Sequence, residues 1–303
     1  PQEACFQRER LVKGLAENFS QEESLEILNQ LIPLLQDSHK EVCSRTAAVV
    51  EVLAEKLPLE IKAKSLPRLI PLLQDGRDFV RIFGVDILRK FTKGLSFEEY
   101  GDALSSLIKL LQDDEYEVRF NAAGLISTFV KRIFSERNKE ALRLLDLLLS
   151  NSVDDVRSHG VLLIRDLENM SLTSDQICTI FEHLKPLLQN CEETGVCLKG
   201  AEALREIAKN FPRERSGEVL DLLAPFLGDP RLRSRGLYTI KVFAKRFLSA
   251  QISNVLDYLK HFLTDEDRDL HAGVVEAIED LAGILPWEQV KTALDLLIFL
   301  IKK

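Results

Sequence analysis

Leu34-Leu35-Gln36-Asp37 returns 38 residues later as Leu72-Leu73-Gln74-Asp75, and 38 residues later again as Leu110-Leu111-Gln112-Asp113. Five residues past each Asp comes a valine: Val42, Val80 and Val118, with Val156 at the same offset from Asn151. Carried in both directions, that position reads Ala4, Val42, Val80, Val118, Val156, Val196, Leu232 and Leu270. The steps of 40 and 36 residues on either side of Val196 cancel, so one register runs through the chain. A fixed period of this length marks a repeat array, and it decides the fold before any single element does.

Within each repeat the apolar positions have helical spacing. Eight residues past the anchor stand Val50, Leu88, Ile126, Ile164, Leu204, Ile240 and Ile278, and eleven past it Leu53, Phe91, Phe129, Leu167, Ile207, Phe243 and Leu281. Offsets 0, 4, 8 and 11 share one face of an α-helix, here termed helix B. Offset 4 is mostly small: Thr46, Gly84, Ala122, Gly160, Gly200 and Gly236, with Val274 the exception. Glycine in a helix interior is worse than alanine by up to about 1 kcal/mol, so its recurrence at one phase predicts close approach of a neighbouring helix.

A second apolar stretch, helix A, precedes each helix B, as in 25–35, 61–73 and 97–111. Ser20-x-x-Glu23 and Ser96-x-x-Glu99 read as capping boxes, and Ser135, Ser174 and Ser216 as further caps. Pro33, Pro71, Pro186 and Pro225 recur late in helix A, where an interior proline removes a hydrogen bond and predicts a bend. Residues 4–19 match only a helix B, and residues 287–301 only a helix A. One hairpin cannot bury its apolar face alone, so the hairpins must stack. The expected architecture is all-α: a right-handed α-solenoid of about seven full repeats and two half repeats, in a single domain over residues 1–303.

The composition excludes several classes. With 48 acidic and 40 basic residues the net charge is −8, which gives no global attraction to nucleic acid or anionic membrane. The longest terminal apolar run, residues 296–301, is far below the ~20 residues of a membrane span. Cys5, Cys43, Cys178, Cys191 and Cys197 form no C-x-x-C pair. They read as ordinary thiols, and with no signal-peptide pattern they predict an intracellular, cytoplasmic chain. The five histidines form no metal-binding spacing, and no phosphate-loop or nucleophile motif occurs. No catalytic residue, metal or cofactor is therefore expected.

Pro71, Asp75, Val80 and Arg81 form a pattern repeated by Asp113, Val118 and Arg119 and by Asn151, Val156 and Arg157. It resembles the HEAT repeat, of the armadillo-like helical class, over nearly the whole chain. Cys43, Cys197 and His271 depart from it at the Arg position, and the turn after Asp229 is shorter. The resemblance implies a scaffold, transport receptor or regulatory subunit, with helices B lining a concave binding face. It also argues against two catalytic relatives. HEAT-type deoxyhypusine hydroxylases carry His-Glu dipeptides, which are absent here. HEAT-like glycosylases are basic with concave aromatics, whereas this chain is acidic and its one Trp, Trp287, opens the last helix A. The turn Asp and helix-start Arg are expected to be structural, as caps and inter-repeat ties.

One stripe rises above background. On helix B, offsets 9 and 13 point away from the core. Eight of their 14 residues are basic, whereas 40 of 303 over the chain predicts about two. They are Arg89, Lys93, Lys131, Arg165, Arg205, Lys209, Lys241 and Lys245, all in repeats 2 to 6. Offsets 2 and 6 add Ile82, Phe120, Leu162, Leu198 and Tyr238. A basic ridge beside Ile82, Phe120, Leu162 and Tyr238 predicts a site for a protein or acidic peptide. The rival explanation is the helix macrodipole, which favours cations near C-termini in any case. Nucleic-acid or phosphate binding along the ridge is the alternative function, and a lyase- or glycosylase-type enzyme is a more distant one.

Overall fold

The computed structural model describes residues 19–169, 172–189, 194–263 and 268–301. Fifteen α-helices and no strand occur among the described residues. The chain divides into two compact units, Pro1–Ala141 and Leu142–Lys303. Residues 4–18 of the leading half repeat lie outside the described residues.

Unit 1 holds three hairpins. Helix α1 (Gln21–Leu31) pairs with α2 (Lys40–Lys56), α3 (Leu59–Leu69) with α4 (Asp78–Phe91), and α5 (Phe97–Leu110) with α6 (Tyr116–Ile133). The helices B stack in the order α2, α4, α6, and α3 packs beside α5 in the A row. Unit 2 begins within α7 (Asn138–Leu149), which precedes α8 (Asp154–Glu168). It continues with α9 (Ser174–Gln189) and α10 (Thr194–Ile207), α11 (Ser216–Gly228) and α12 (Pro230–Phe243), and α13 (Ile252–Phe262) and α14 (Arg268–Leu281). Helix α15 (Trp287–Ile301) is the expected closing helix A. Here too B packs on B, through α8, α10, α12 and α14, and A on A, through α9, α11, α13 and α15. Two parallel rows of helices in each unit make the α-solenoid.

The core is the predicted face. Every residue at offsets 8 and 11 is buried, from Val50 and Leu53 to Ile278 and Leu281. Each such Leu, Ile or Phe contributes about 1.5–3 kcal/mol through lost apolar surface. Repeat 1 differs in detail: Cys43 is fully buried and Val42 only half-buried. The small residue at offset 4 is explained by contact. A Cβ on Gly84 would stand 2.9 Å from Cβ of Leu72, and one on Gly160 2.8 Å from Cδ2 of Leu149. Helix A of the same hairpin occupies the space a side chain would need.

The prolines act in two ways. Pro33 and Pro71 lie in the first turn of 3-10 segments, Ile32–Gln36 and Ile70–Gln74, so helix A tightens where the missing N–H falls. Pro186 and Pro225 stay inside α9 and α11.

Three cap assignments need correction: Ser135 lies in the turn before α7, two residues ahead of Arg137, which directly precedes the helix. Helix α9 is capped by Thr173, whose Oγ1 accepts from the Gln176 N–H (3.3 Å) while the Gln176 side chain accepts the Thr173 N–H (2.9 Å). Ser174 is already helical. Ser216 is fully buried, 2.8 Å from Oε1 of Gln251 in the next repeat, and ties repeats together instead of capping. The Ser20–Glu23 box is present, with contacts of 2.7 and 3.2 Å. The thiol expectation also fails: Cys43 and Cys178 are free, but Cys197 is disulfide-bonded. The absence of a C-x-x-C pair does not decide which sulfurs come within bonding distance.

On the A row of unit 2, Glu218 accepts from Arg215 at Nε (2.6 Å) and Nη2 (2.8 Å) and lies 2.8 Å from Nζ of Lys185. Arg215 and Lys185 both lie over the Phe181 ring, at 5.1 and 5.0 Å. The Arg215 hydrogen bonds, against an opposing burial effect, bring Glu218 from 4.5 down to about 2. A lowered carboxylate stabilises the fold above its unfolded value and loses that contribution on protonation. Unit 2 should therefore melt at a lower temperature as pH falls from 4.5 toward 2. Solvent screening limits the effect to about 1 kcal/mol. Thermal melts of Glu218→Gln should show a flatter acid limb than the unchanged chain, and parallel limbs would refute the assignment.

Candidate partner-binding face

The turn between helices A and B is built by one recurring device. The side-chain oxygen of the turn residue accepts the N–H two residues on: Asp37 from His39 (2.8 Å), Asp75 from Arg77 (3.0 Å), Asp113 from Glu115 (3.0 Å), Asn151 from Val153 (2.9 Å) and Asp229 from Arg231 (2.9 Å). The arginine at the helix start returns to the carbonyl of the same residue, Arg81 to Asp75 (2.9 Å), Arg119 to Asp113 (2.6 Å) and Arg157 to Asn151 (2.7 Å). Arg81 also reaches the next repeat, with Nη2 2.8 Å from Oδ1 and Nε 2.7 Å from Oδ2 of Asp113. These charges are occupied in holding the turns and aiming helix B. They are structural, as their spacing implies.

Arg89, Lys131, Arg165, Arg205 and Lys241 fall on helices B, whereas Lys93, Lys209 and Lys245 lie just past the ends of α4, α10 and α12. In unit 1, Ile82 is half-buried and Phe120 44% exposed. Arg89 is half-buried, with Nη2 3.5 Å from the Asn121 carbonyl of α6. Lys93 is exposed, and Lys131 is half-buried. In unit 2, Leu162 and Arg165 are exposed one turn apart on α8. Arg205 lies over the half-exposed Tyr238 ring at 5.0 Å, and burial lowers its pKa. Lys209 is exposed. Lys241 pairs with Glu276, and Lys245 with Asp280 at 3.3 Å, both acids on α14.

Neighbouring carboxylates thus neutralise part of the stripe. Lys90, beside Arg89, is likewise held by Glu55 at 2.9 Å. Between α2 and α4 lies a cavity of about 290 Å³ with a small-residue floor, Ala47 and Ala48, walled by Glu51, Glu55, Phe83 and Asp86. Burial raises the Asp86 pKa against the opposing pull of Arg89. The unit 1 face is therefore mixed in charge. Arg165 and Lys209 of unit 2 have no ion pair or hydrogen bond from their side chains among the described residues.

Sequence reasoning missed the aromatic pairs that open helices B in unit 1. Phe79 and Phe83 meet edge to face at 6.4 Å, and Tyr116 and Phe120 at 5.6 Å. Each pair is spaced i,i+4, so the signal was present. Among the described residues no group of three His, Cys, Asp or Glu side chains could hold a metal ion. No described helix is long and apolar enough to cross a membrane.

Comparison with known proteins agrees with this architecture. A sequence profile of the HEAT repeat matches residues 103–133, which span most of α5 and all of α6. No curated protein matches by sequence. Among solved structures, yeast importin-beta (Kap95p) is similar, with TM-score 0.60 and 16% identity over 94% of this chain and 38% of that one. Kap121p bound to Nup53p is similar with TM-score 0.63 and 14% identity, over 97% of this chain and 33% of that one. This chain thus spans 38% of the first and 33% of the second, and at such identity the likeness is one of fold. With two rows of helices, the recurring Asp–Arg turn device and a HEAT repeat matched at residues 103–133, the chain has the α-solenoid fold of these HEAT-like structures.

Proposed function

We propose that the chain is a non-enzymatic protein-binding scaffold whose helix-B row takes an acidic, partly apolar segment of a partner protein. The observation that carries this reading is the pairing of exposed apolar and cationic side chains in unit 2. Leu162 is 42% and Tyr238 50% exposed, with Arg165 one turn beyond the first and Arg205 stacked on the second. Large apolar groups in solvent beside unpaired cations suit a partner offering apolar side chains and carboxylates together. Kap121p, similar in fold, was solved with a bound protein, Nup53p.

The test uses an amphipathic peptide alternating Asp or Glu with Leu or Phe, followed by fluorescence anisotropy. Reversal of the exposed Arg165 and Lys209 to Glu should weaken binding about tenfold or more, at roughly 1 kcal/mol or so per contact. Helical circular dichroism should be unchanged. Reversal of Arg143 and Lys260, exposed cations on the A-row helices α7 and α13, should have little effect. Equal losses from both pairs would reduce the effect to net charge and refute the site. Competition of the peptide by nucleic acid, with a steep salt slope, would favour the phosphate-binding alternative.

A further inference from the structure

At two successive steps of the helix-B row, the residue at offset 9 of one helix meets the residue at offset 6 of the next. Between α12 and α14 these are Lys241 and Glu276, which form an ion pair. Between α10 and α12 they are Arg205 and Tyr238, and the guanidinium lies over the ring at 5.0 Å. A tyrosine thus stands where the following repeat supplies a carboxylate. Arg205 is left without an anion: its Nη1 is buried with no acceptor, and its side chain has no hydrogen bond or ion pair among the described residues. Neighbouring acids do not make good the loss. Glu202, one turn earlier on α10, is held by Lys199 at 3.1 Å. Glu276 and Asp280 of α14 hold Lys241 and Lys245. Glu206 directly follows Arg205, and adjacent residues on a helix do not face each other. Arg235, one turn before Tyr238 on α12, is exposed and only adds positive charge. Burial of Nη1 and the ring beneath it hold the half-buried guanidinium in place and strip part of its water. An anion at its open edge therefore meets a preorganised cation in a reduced dielectric.

We propose that Arg205 and Tyr238 form the anchor of the helix-B face, taking one Glu or Asp side chain of a partner protein on the guanidinium and an apolar neighbour of that residue on the ring. The anchor rests on the reading of this face as a protein-binding surface and makes it specific: the partner's carboxylate stands on Arg205 as Glu276 stands on Lys241. The planar guanidinium fork suits a carboxylate, whose two oxygens it can take together. Tyr238, 50% exposed, offers the apolar surface beside it.

The experiment is a double-mutant cycle on the full chain with the acidic amphipathic peptide, read by fluorescence anisotropy. Each acidic residue of the peptide is changed in turn to its amide. One such change should weaken binding to the unchanged chain about tenfold and leave binding to Arg205→Met unaltered, the signature of a direct pair. Tyr238→Glu supplies the carboxylate from the chain itself, in the place Glu276 takes beside Lys241. It should lower peptide affinity about tenfold while the chain melts no lower than before. Tyr238→Gln, which loses the ring without supplying the charge, should lose distinctly less affinity. Peptide binding in which no acid couples to Arg205 would overturn the anchor and leave the helix-B face standing. No binding to the unchanged chain would overturn both. Tighter binding of a peptide with phosphoserine in place of the coupled acid would overturn the carboxylate assignment in favour of a phosphorylated partner.

Discussion

Asp113→Ala is expected to destabilise unit 1 by about 3–5 kcal/mol, the range for stranding one member of a buried ion pair. Asp113 does two jobs with one carboxylate. Oδ1 accepts the Glu115 N–H at 3.0 Å, closing the turn before α6. Both oxygens also take the Arg81 guanidinium of the previous repeat, at 2.7 and 2.8 Å. The pair is well shielded, with side-chain exposures of 15% for Arg81 and 9% for Asp113. Alanine removes the cap and leaves the guanidinium without its anion. Asn keeps an acceptor for the N–H but loses the charge, so Asp113→Asn should lose distinctly less. The difference between the two isolates the cap, worth about 1 kcal/mol. Chemical denaturation of both variants decides the matter. Equal and small losses would mean that the turn holds without its carboxylate.

The second large effect is a change of sign for one substitution at two sites. At Gly84 a new Cβ meets Cβ of Leu72 at 2.9 Å, an atom fixed to the backbone of helix A. The hairpin must open to admit it, so Gly84→Ala should destabilise, and Gly84→Val by about 3 kcal/mol as overpacking adds to a β-branched helical residue. At Gly101, within α5, nothing lies within 4 Å of the added atom. There Gly101→Ala should stabilise by up to about 1 kcal/mol, the ordinary helix preference. Thermal melts of the two alanine variants should move in opposite directions. Movement in the same direction would contradict the close-packing account of the small position.

These two sites also mark how far the sequence alone carries. The step of 38 residues, the glycine phase and the turn Asp are local or periodic signals, and each leads to the structure that forms. What was not legible depends on how neighbouring helices are offset. Glu55 meets Lys90 and Lys241 meets Glu276, each pair 35 residues apart. That separation is one repeat less about a turn of helix, so adjacent helices B are staggered in contact. Without the stagger, Lys241 and Lys245 read as open cations, whereas in the structure acids of α14 hold them. The buried Ser216 link escaped for the same reason, since it depends on a distance across the stack.

The central claim is that the helix-B row, around Tyr238, is where a partner protein is covered. It is tested most directly by placing the chain's one tryptophan there. In a Trp287→Phe background, Tyr238→Trp puts the fluorophore on the B row, and Leu294→Trp puts it on the exposed side of α15 as a control. Titration with the amphipathic acidic peptide should shift the emission of the Tyr238→Trp protein to the blue, saturably, and leave the Leu294→Trp protein unmoved. A shift only at position 294, or at neither position while the peptide binds, would contradict the account and move the binding face elsewhere.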